Sequence, residues 1–510
     1  MKQIDALLNK ITMYRLTLYF LIGLAALGIA FGFAGIIPYG GLDILTNLTV
    51  AVASCYVSNL LFSKVFKAVT NIESVFISAL IITLIFPVAF TSTLLPVAVV
   101  SVIAMASKYL LTISRKHIAN PAAVAVLVVG FFVPDYAALW WVGSGVMTLP
   151  VFIGGVFLMR KIRREDLVFS FIVTFLMLSA IGTFLQNGSF SQVLLVWKQS
   201  FISSALFFFA FVMLTEPLTS PVTKKLQRFY GVLVGILYAS PLLRLGGFTL
   251  TPEMALVVGN IFAYIVTPKY RLLLTLERKI KLTQDTYLFD FGKIAGFKFR
   301  PGQYLEWTLP HSPSDARGNR RYFSIVSAPH ENLMMAVKFY EPSSSYKKKL
   351  MGLSAGDKLV AANLAGDFVL PKVNTPLVFI AGGIGITPFR SMIEDIVEKK
   401  LKVDIVVVFA NKGVEDIVFK ETLEKAKNFG VRTEYVLTDK NRIPSDWKGL
   451  VGHIEFSTIQ HAIPDFKMRI FYISGPQLMV QSFERMLSSA GVKKANLKVD
   501  FFPGYNETSA

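Results

Sequence analysis

The chain has 510 residues, 53% of them hydrophobic and 17% charged, with a mean hydropathy of +0.54 and a formal net charge of +19. Its single cysteine, Cys55, excludes an intrachain disulfide, a four-cysteine iron–sulfur cluster and a cysteine-ligated zinc, so redox chemistry here needs an organic cofactor or another subunit's metal. Charge is sparse up to Pro268 and dense after it: 17 of the 52 Lys and Arg and 8 of the 33 Asp and Glu fall in that first stretch, dividing the excess into +9 and +10 and implying two unlike regions.

In the first region, apolar windows recur at 15–37, 43–63, 73–91, 93–112, 119–134, 137–159, 167–186, 192–214, 229–246 and 252–267. Several are long enough to carry about 20 residues across hydrocarbon, so about ten transmembrane helices are predicted. The connections gather their basic residues alternately: Lys64 and Lys67, Arg115 and Lys116, Arg160 to Arg164, and Lys224 to Arg228 fall on one side, whereas Arg244 stands alone on the other. By the positive-inside rule both ends of a 1–268 polytopic domain face the cytoplasm, in the inner or plasma membrane, and so does everything after it. The first apolar segment lacks a small-residue cleavage site and reads as an anchor. The basic excess of this half therefore records topology, not a nucleic-acid surface. His117 is its one histidine, which excludes a haem held between two histidines of these helices; it reads as solvated or headgroup-facing. Lys198 either faces a cavity within a span or snorkels beside Trp197.

Two stretches at predicted helix ends are less ordinary. "RKHIANPAAV" (115–124) sets Asn120-Pro121 at a helix start, and "TEPLTSPVTKK" (215–225) puts Glu216, two prolines and several hydroxyls where a span ends. Prolines there free backbone groups for a buried ligand or a neighbouring helix; plain capping is the simpler reading. Together these stretches resemble the flavin-carrying membrane subunit of Rnf-type and Na⁺-translocating NADH:quinone reductase complexes, the RnfD/NqrB family. The resemblance implies a second flavin, FMN or riboflavin, and further membrane subunits. That family carries FMN on a threonine of a Ser-Gly-Ala-Thr motif; the nearest stretch here is "SGVMTLP", whose Thr148 stands one residue too late.

Beyond residue 270 the pattern changes. "FKFRPGQYLEWTLP" (297–310) reads as strand, turn, strand, and several such short alternating segments over 271–371 predict a small antiparallel barrel. In "RRYFSIVSAP", strand alternation places Arg321 and Phe323 on one face and Tyr322 and Ser324 on the other. From 372 to 510, apolar strands alternate with helices, predicting a doubly wound parallel sheet. "AGGIGITPFR" follows its first strand: Gly382, Gly383 and Gly385 let backbone approach a phosphate, and the helix opening at Thr387-Pro388 turns unpaired N–H groups and a positive dipole end toward it. About ninety residues later Ser474-Gly475-Pro476 ends another strand, and ligands sit at such carboxyl ends.

These pieces resemble the ferredoxin–NADP⁺ reductase family over about 271–505. The resemblance implies bound FAD, with Arg321 on its pyrophosphate, Phe323 against the isoalloxazine, Ser324 reaching flavin N5, Tyr322 as a further cofactor-binding residue, and Ser344 and Ser345 as a second phosphate contact. It also assigns the glycine loop with Thr387 and Pro388, and Gly475 and Pro476, to the pyridine nucleotide. Ser474 stands beside the nicotinamide, where many members have cysteine, and the ending "DFFPGY" brings Phe502 and Tyr505 toward the flavin. No metal is implied, and His311, His330, His453 and His461 lie outside these motifs.

Hydride transfer needs nicotinamide and flavin clasped in register, which two adjoining domains provide. The whole chain then reads as a membrane-bound FAD-dependent oxidoreductase taking electrons from NADH or NADPH to a quinone, a membrane flavin or an extracytoplasmic carrier. "FANKGVED" offers Lys412 to a 2′-phosphate but Glu415 and Asp416 to a free ribose, which leans toward NADH. The rival reading is a transporter or channel whose flavin domain senses the NAD(P)H redox state without turnover.

Overall fold

In a computed structural model, the residues described are 11, 13–66, 72–88, 94–113, 116–162, 164–202, 205–221, 223–243, 250–267, 271–311, 313, 315, 319–371 and 375–502. The chain divides into two compact units, Met1–Thr267 and Pro268–Ala510.

A helix occupies part of each apolar window of the first unit: α1 Met13–Phe33, α2 Gly41–Val65, α3 Ile72–Ile85, α4 Leu95–Leu110, α5 Pro121–Phe132, α6 Thr148–Ile162, α7 Glu165–Asn187, α8 Phe190–Ile202, α9 Lys224–Leu243 and α10 Pro252–Val266. A hairpin, β1 (Thr112–Ile113) and β2 (Lys116–His117), follows α4, and a short turn runs into a π-helix, Phe209–Met213, after α8. Among the described residues four helices are long and apolar enough to cross a membrane: Met13–Phe33, Gly41–Val65, Gly145–Ile162 and Glu165–Gln186. The bent pair Phe190–Ile202 and Leu206–Met213 makes a fifth if it is one span. Helices α3, α4, α5 and α10 are apolar but shorter, so the ten predicted spans are not matched by ten helices of spanning length. Two causes are visible. Pro87 and Pro134 each disfavour helix at the residue before them, so α3 and α5 stop short of their apolar windows, and 134–147 winds through 3₁₀ turns instead of continuing a helix.

Local chemistry sets the helix starts. Asn120 and Thr251 cap α5 and α10 through their side chains, accepting from the amides of Ala123 (3.1 Å) and Met254 (3.4 Å), with proline following in each case. Where α7 crosses α9, a Cβ added to Gly231 would stand 2.5 Å from the Leu167 carbonyl oxygen and one added to Gly235 3.0 Å from that of Phe171, so the small residues set the approach of the two backbones. Cys55 is fully buried on α2, its Sγ 3.8 Å from the Ser101 carbonyl oxygen.

The second unit begins as an antiparallel barrel. Strands β3 (Arg271–Thr275), β4 (Arg278–Lys281), β5 (Thr286–Asp290), β6 (Tyr304–Thr308), β7 (Arg320–Ser324), β8 (Met334–Lys338) and β9 (Lys358–Ala365) form two sheets, ordered β3-β9-β6-β7 and β4-β5-β8, with helix α11 (Ser345–Met351) against them. Trp307, Phe289, Met335 and Tyr346 fill the interior. A parallel sheet follows, ordered β13-β12-β11-β10-β14-β15, from β10 (Leu377–Gly382), β11 (Ile405–Asn411), β12 (Val431–Leu437), β13 (Leu450–Val451), β14 (Ile470–Pro476) and β15 (Leu497–Phe502). Separate apolar clusters cover its two faces, which is why its strands read as unbroken apolar runs. At its amino edge Arg469, which leads into β14, ties three strands together, pairing with Asp404 before β11 at 2.8 and 2.9 Å, donating to the Leu377 carbonyl of β10 at 3.4 Å and holding Asp465 at 2.8 Å.

Candidate functional site

Strand order reverses beside β10: β11, β12 and β13 lie successively on one side, β14 and β15 on the other. Such a reversal leaves a crevice at the carboxyl ends of the strands, the usual ligand position in open α/β sheets. The glycine loop fills it as a 3₁₀ turn, Gly383–Ile386, running directly into α12 (Thr387–Glu398), with Thr387 and Pro388 buried in its first turn. The three glycines do different work. Gly383 has φ +51° and open space around it, so it is the one whose backbone faces outward freely. A Cβ on Gly385 would collide with the Ser474 carbonyl oxygen and lie 2.7 Å from Gly475 Cα, and one on Gly382 would lie 2.9 Å from Met479 Cε. Those two are therefore required by close packing of the loop on β14 and on helix α13 (Gln477–Ser489), whatever they offer a phosphate.

Two buried polar side chains at this edge have no partner among the described residues. Ser474 is 0% exposed and its Oγ bonds to nothing; Asn411, the last residue of β11, is 4% exposed and neither atom of its amide is paired. They flank β10 in register, Ser474 opposite Ala381 and Ala410 opposite Gly382. Buried unpaired groups are costly and uncommon, so a cluster of them at a strand-end crevice fits a polar ligand that supplies the missing bonds. Ser474 was expected from the sequence. Asn411 was not; in "FANK" its type gave no signal before the end of β11 was placed. Gly475 (φ +153°) and Pro476 close β14 and lead into α13.

On the barrel, β7 alternates as expected. Arg321 lies with its Cζ 5.0 Å from the Tyr346 ring centroid and donates through Nη1 to the Arg320 carbonyl at 2.6 Å. Phe323 tilts against the same ring at 6.2 Å and packs half-buried on the barrel core. Tyr322 is the exposed ring of the strand, edge-on to Tyr304 at 5.7 Å, and its hydroxyl donates to Glu306 Oε2 at 2.6 Å; Ser324 is buried. Tyr346, which gathers Arg321 and Phe323, carries no motif of its own; burial pushes its phenol well up. Ser344 caps α11 by accepting from Lys347 N at 3.2 Å. Ser345 exchanges two bonds with Asp315, donating its N–H to Oδ2 (2.8 Å) and accepting at Oγ from the Asp315 amide (2.9 Å), while His311 Nε2 sits 2.9 Å from the same Oγ. Both serines thus help build the start of α11. Phe502 ends β15, but its side chain and all of Tyr505 lie outside the described residues.

The barrel is fastened beside the glycine loop. Arg390 on α12 grips Glu331 with both terminal nitrogens, Nη2 to Oε1 at 2.8 Å and Nη1 to Oε2, and reaches the Val326 carbonyl at 3.3 Å. Ser391 Oγ donates to the Ser327 carbonyl at 2.6 Å. The loop and the barrel edge are therefore held in fixed register, which a two-cofactor reaction requires.

In the first unit the two unusual stretches meet. Asn120 Nδ2 donates to Glu216 Oε2 at 2.8 Å, the Thr219 hydroxyl donates to the same oxygen at 2.9 Å, and Asn260 Oδ1 accepts from Asn120 N at 2.9 Å. Asn260 Nδ2 continues to the Tyr230 hydroxyl at 2.8 Å. Asn260, inside α10, was not anticipated. Thr148 opens α6 and donates to the Ile202 carbonyl at 2.6 Å. Lys198 is exposed on α8.

Residues 141–269 match the NQR2, RnfD, RnfE family, and residues 379–485 match the Oxidoreductase NAD-binding domain. NADH-cytochrome b5 reductase 1 of Coccidioides immitis is 31% identical over 210 residues, spanning 39% of this chain and 63% of that protein. A flavohemoprotein of Bacillus cereus is 30% identical over 230 residues, 42% of this chain and 55% of that protein, so this chain spans little more than half of these relatives. Among solved structures, the flavohem-like FAD/NAD binding domain of nitric oxide dioxygenase from Vibrio cholerae is similar at 20% identity and a TM-score of 0.40, covering 46% of this chain and 99% of that one. The chain thus carries a segment similar to the NQR2, RnfD, RnfE family in a region with four or five long apolar helices among the described residues, and a C-terminal segment similar to the Oxidoreductase NAD-binding domain.

Proposed function

We propose that this protein is a membrane-bound flavoprotein reductase: it oxidises NAD(P)H at an FAD held by the 271–371 barrel and passes electrons to an acceptor in or across the 1–268 region. The observation that carries this reading is the pair of buried side chains without a partner among the described residues, Asn411 and Ser474, flanking a glycine loop in a chain whose residues 141–269 match the NQR2, RnfD, RnfE family. Bound FAD would supply the chemistry, accepting a hydride yet releasing electrons singly. In this reading the Arg321 guanidinium neutralises the flavin pyrophosphate, the Ser324 hydroxyl reaches N5, and Ser344 and Ser345 line the second phosphate position. The Gly383 backbone and the first turn of α12 hold the nicotinamide dinucleotide's pyrophosphate. Ser474 Oγ, buried and unpaired, orients the nicotinamide and keeps water from it. The 1–268 region is proposed to cross an inner or plasma membrane about ten times, with the flavin domain cytoplasmic. Quinone, a membrane flavin such as FMN on Thr148, or an extracytoplasmic carrier is the proposed acceptor.

The test uses the purified full-length protein in detergent. The expected result is stoichiometric FAD, bleaching by NADH or NADPH, and sustained turnover with a quinone. A colourless protein that refuses FAD sinks the proposal. Bleaching without steady-state turnover on any of the three acceptor classes sinks the electron-transfer part and leaves the redox-sensor reading. A second flavin surviving acid precipitation supports Thr148 as an attachment point, and its loss in Thr148→Val identifies the residue.

A further inference from the structure

Beyond the crevice itself, the segments that follow β11 and β12 are laced together. Thr438 N donates to the Asn411 carbonyl at 2.9 Å and Asp439 N to that of Lys412 at 3.2 Å, so 411–416 and 438–442 form one surface at the end of the sheet farther from β14. In doubly wound folds the adenosine ribose lies over the strand neighbouring the glycine loop, which here is β11. A free ribose offers a 2′-hydroxyl there, whereas NADPH offers a phosphate dianion that needs a cation, and the planar fork of a guanidinium suits it best.

Arg442 is the one guanidinium on these two segments, and its fork is already occupied. Its Nε donates to Glu415 Oε1 at 2.8 Å, its Nη2 contacts the same oxygen, and Nη2 lies 3.0 Å from Asp416 Oδ2. Asp416 is itself anchored by the Gly413 amide at 3.1 Å and faces Lys338 Nζ at 3.7 Å from the barrel. Asp439, whose Oδ1 accepts from Asn441 N at 3.1 Å, adds a third carboxylate acting on Arg442. The carboxyl of Glu415 is held below the ordinary glutamate range by its own backbone amide and by Arg442, so it stays charged at neutral pH. Arg442 engages this carboxylate through Oε1 and the Glu415 side chain is 62% exposed, leaving the outer face of the carboxylate open to a ribose 2′-hydroxyl. Lys412 and Lys440, the remaining cations nearby, are exposed flexible stems that cannot offer a fixed fork.

Resting on the reading that this sheet edge binds a pyridine dinucleotide, we infer that the electron donor is NADH, and that the Glu415–Arg442–Asp416 clamp is the device that refuses NADPH. A 2′-phosphate entering here must either meet three carboxylates or displace Glu415 from Arg442. Breaking the clamp on the Glu415 side frees the guanidinium and turns a repelling surface into a phosphate acceptor.

The experiment measures binding, by isothermal titration calorimetry on the FAD-loaded full-length protein, of 5′-AMP and of adenosine 2′,5′-bisphosphate, and alongside it kcat/KM for NADH and NADPH. The wild-type protein is expected to bind 5′-AMP at least about tenfold more tightly than the bisphosphate. Glu415→Gln is expected to tighten the bisphosphate by about tenfold or more, and adding Arg442→Ala to abolish that gain. Equal or tighter bisphosphate binding by the wild-type protein overturns the inference without any variant being needed, as does a gain in Glu415→Gln that survives Arg442→Ala. Binding of neither nucleotide overturns the underlying assignment of the sheet edge, an outcome distinct from binding both without discrimination.

Discussion

Replacing Arg390 with methionine keeps most of the side chain's apolar contact but removes the two-pronged grip on Glu331. Both side chains are largely withdrawn from water, 13% and 18% exposed, so the pair sits between the surface and fully buried cases. Removing one partner from a fully buried pair costs about 3–5 kcal/mol, while exposed pairs contribute about 0–1, which places this change near 2–3 kcal/mol. Part of that cost is the stranded Glu331 carboxylate, whose remaining bond is from the Ala328 amide at 2.6 Å. Glu331→Gln therefore loses less by itself, and the double variant should show a coupling of about 2 kcal/mol between the sites. The grip also sets the barrel against the glycine loop, so Arg390→Met should slow flavin reduction by NADH on the order of ten- to a hundredfold while FAD content stays whole. Denaturant titration followed by flavin fluorescence gives the coupling, and stopped-flow absorbance gives the rate. Losses that add to within about 0.5 kcal/mol, together with an unchanged reduction rate, would refute the view that this pair holds the two domains in register.

The other expectations are briefer. Ser474→Ala removes a buried hydroxyl that has no partner among the described residues, so stability should hold or rise by up to about 1 kcal/mol while flavin reduction by NADH slows; a clear drop in unfolding midpoint counts against a ligand role. Gly385→Ala forces a Cβ against Ser474 and Gly475 and should cost about 1–3 kcal/mol, more than Gly383→Ala, which meets open space and only about 1 kcal/mol of backbone strain; the reverse order in thermal melts would refute the packing argument. Burial pushes the Asp290 carboxyl up, but the Gly292 amide, Arg278 and Asn332 outweigh that and hold it below the ordinary aspartate range. Because the folded value is depressed, its stabilisation is present above about pH 4, the unfolded value, and is lost as pH falls through the folded one. Acid titration of unfolding should therefore bring wild type and Asp290→Asn together at low pH and separate them near neutrality, and parallel curves would exclude the effect.

Where the physics is local, residue order was a sufficient guide. Asn120-Pro121 caps a helix because cap and proline geometry need only neighbouring residues, and the glycine turn lies between strand and helix because periodicity changes there. The helix lengths were harder to read: one apolar window runs past Pro87 and another as far as Pro134, where composition stays hydrophobic but the helix has already ended. Long-range partners were harder still. Arg390 stood in the quoted glycine stretch, yet its partner Glu331 lies 59 residues earlier. Asn260, mid-helix and ordinary in type, is identified only by the Asn120 and Tyr230 groups it touches. Asn411 is conspicuous for the bonds it lacks, which no pattern of residues reveals before burial is known.

Sealing the lone thiol inside α2 has a practical yield. Cys55 is out of reach of bulky aqueous reagents in the folded protein, so the native chain is close to silent toward membrane-impermeant maleimides. Cysteines introduced one at a time into the helix connections would then report, by labelling from one side of intact vesicles or the other, which ends of α1 to α10 share a compartment, without first stripping the background residue from a packed helix.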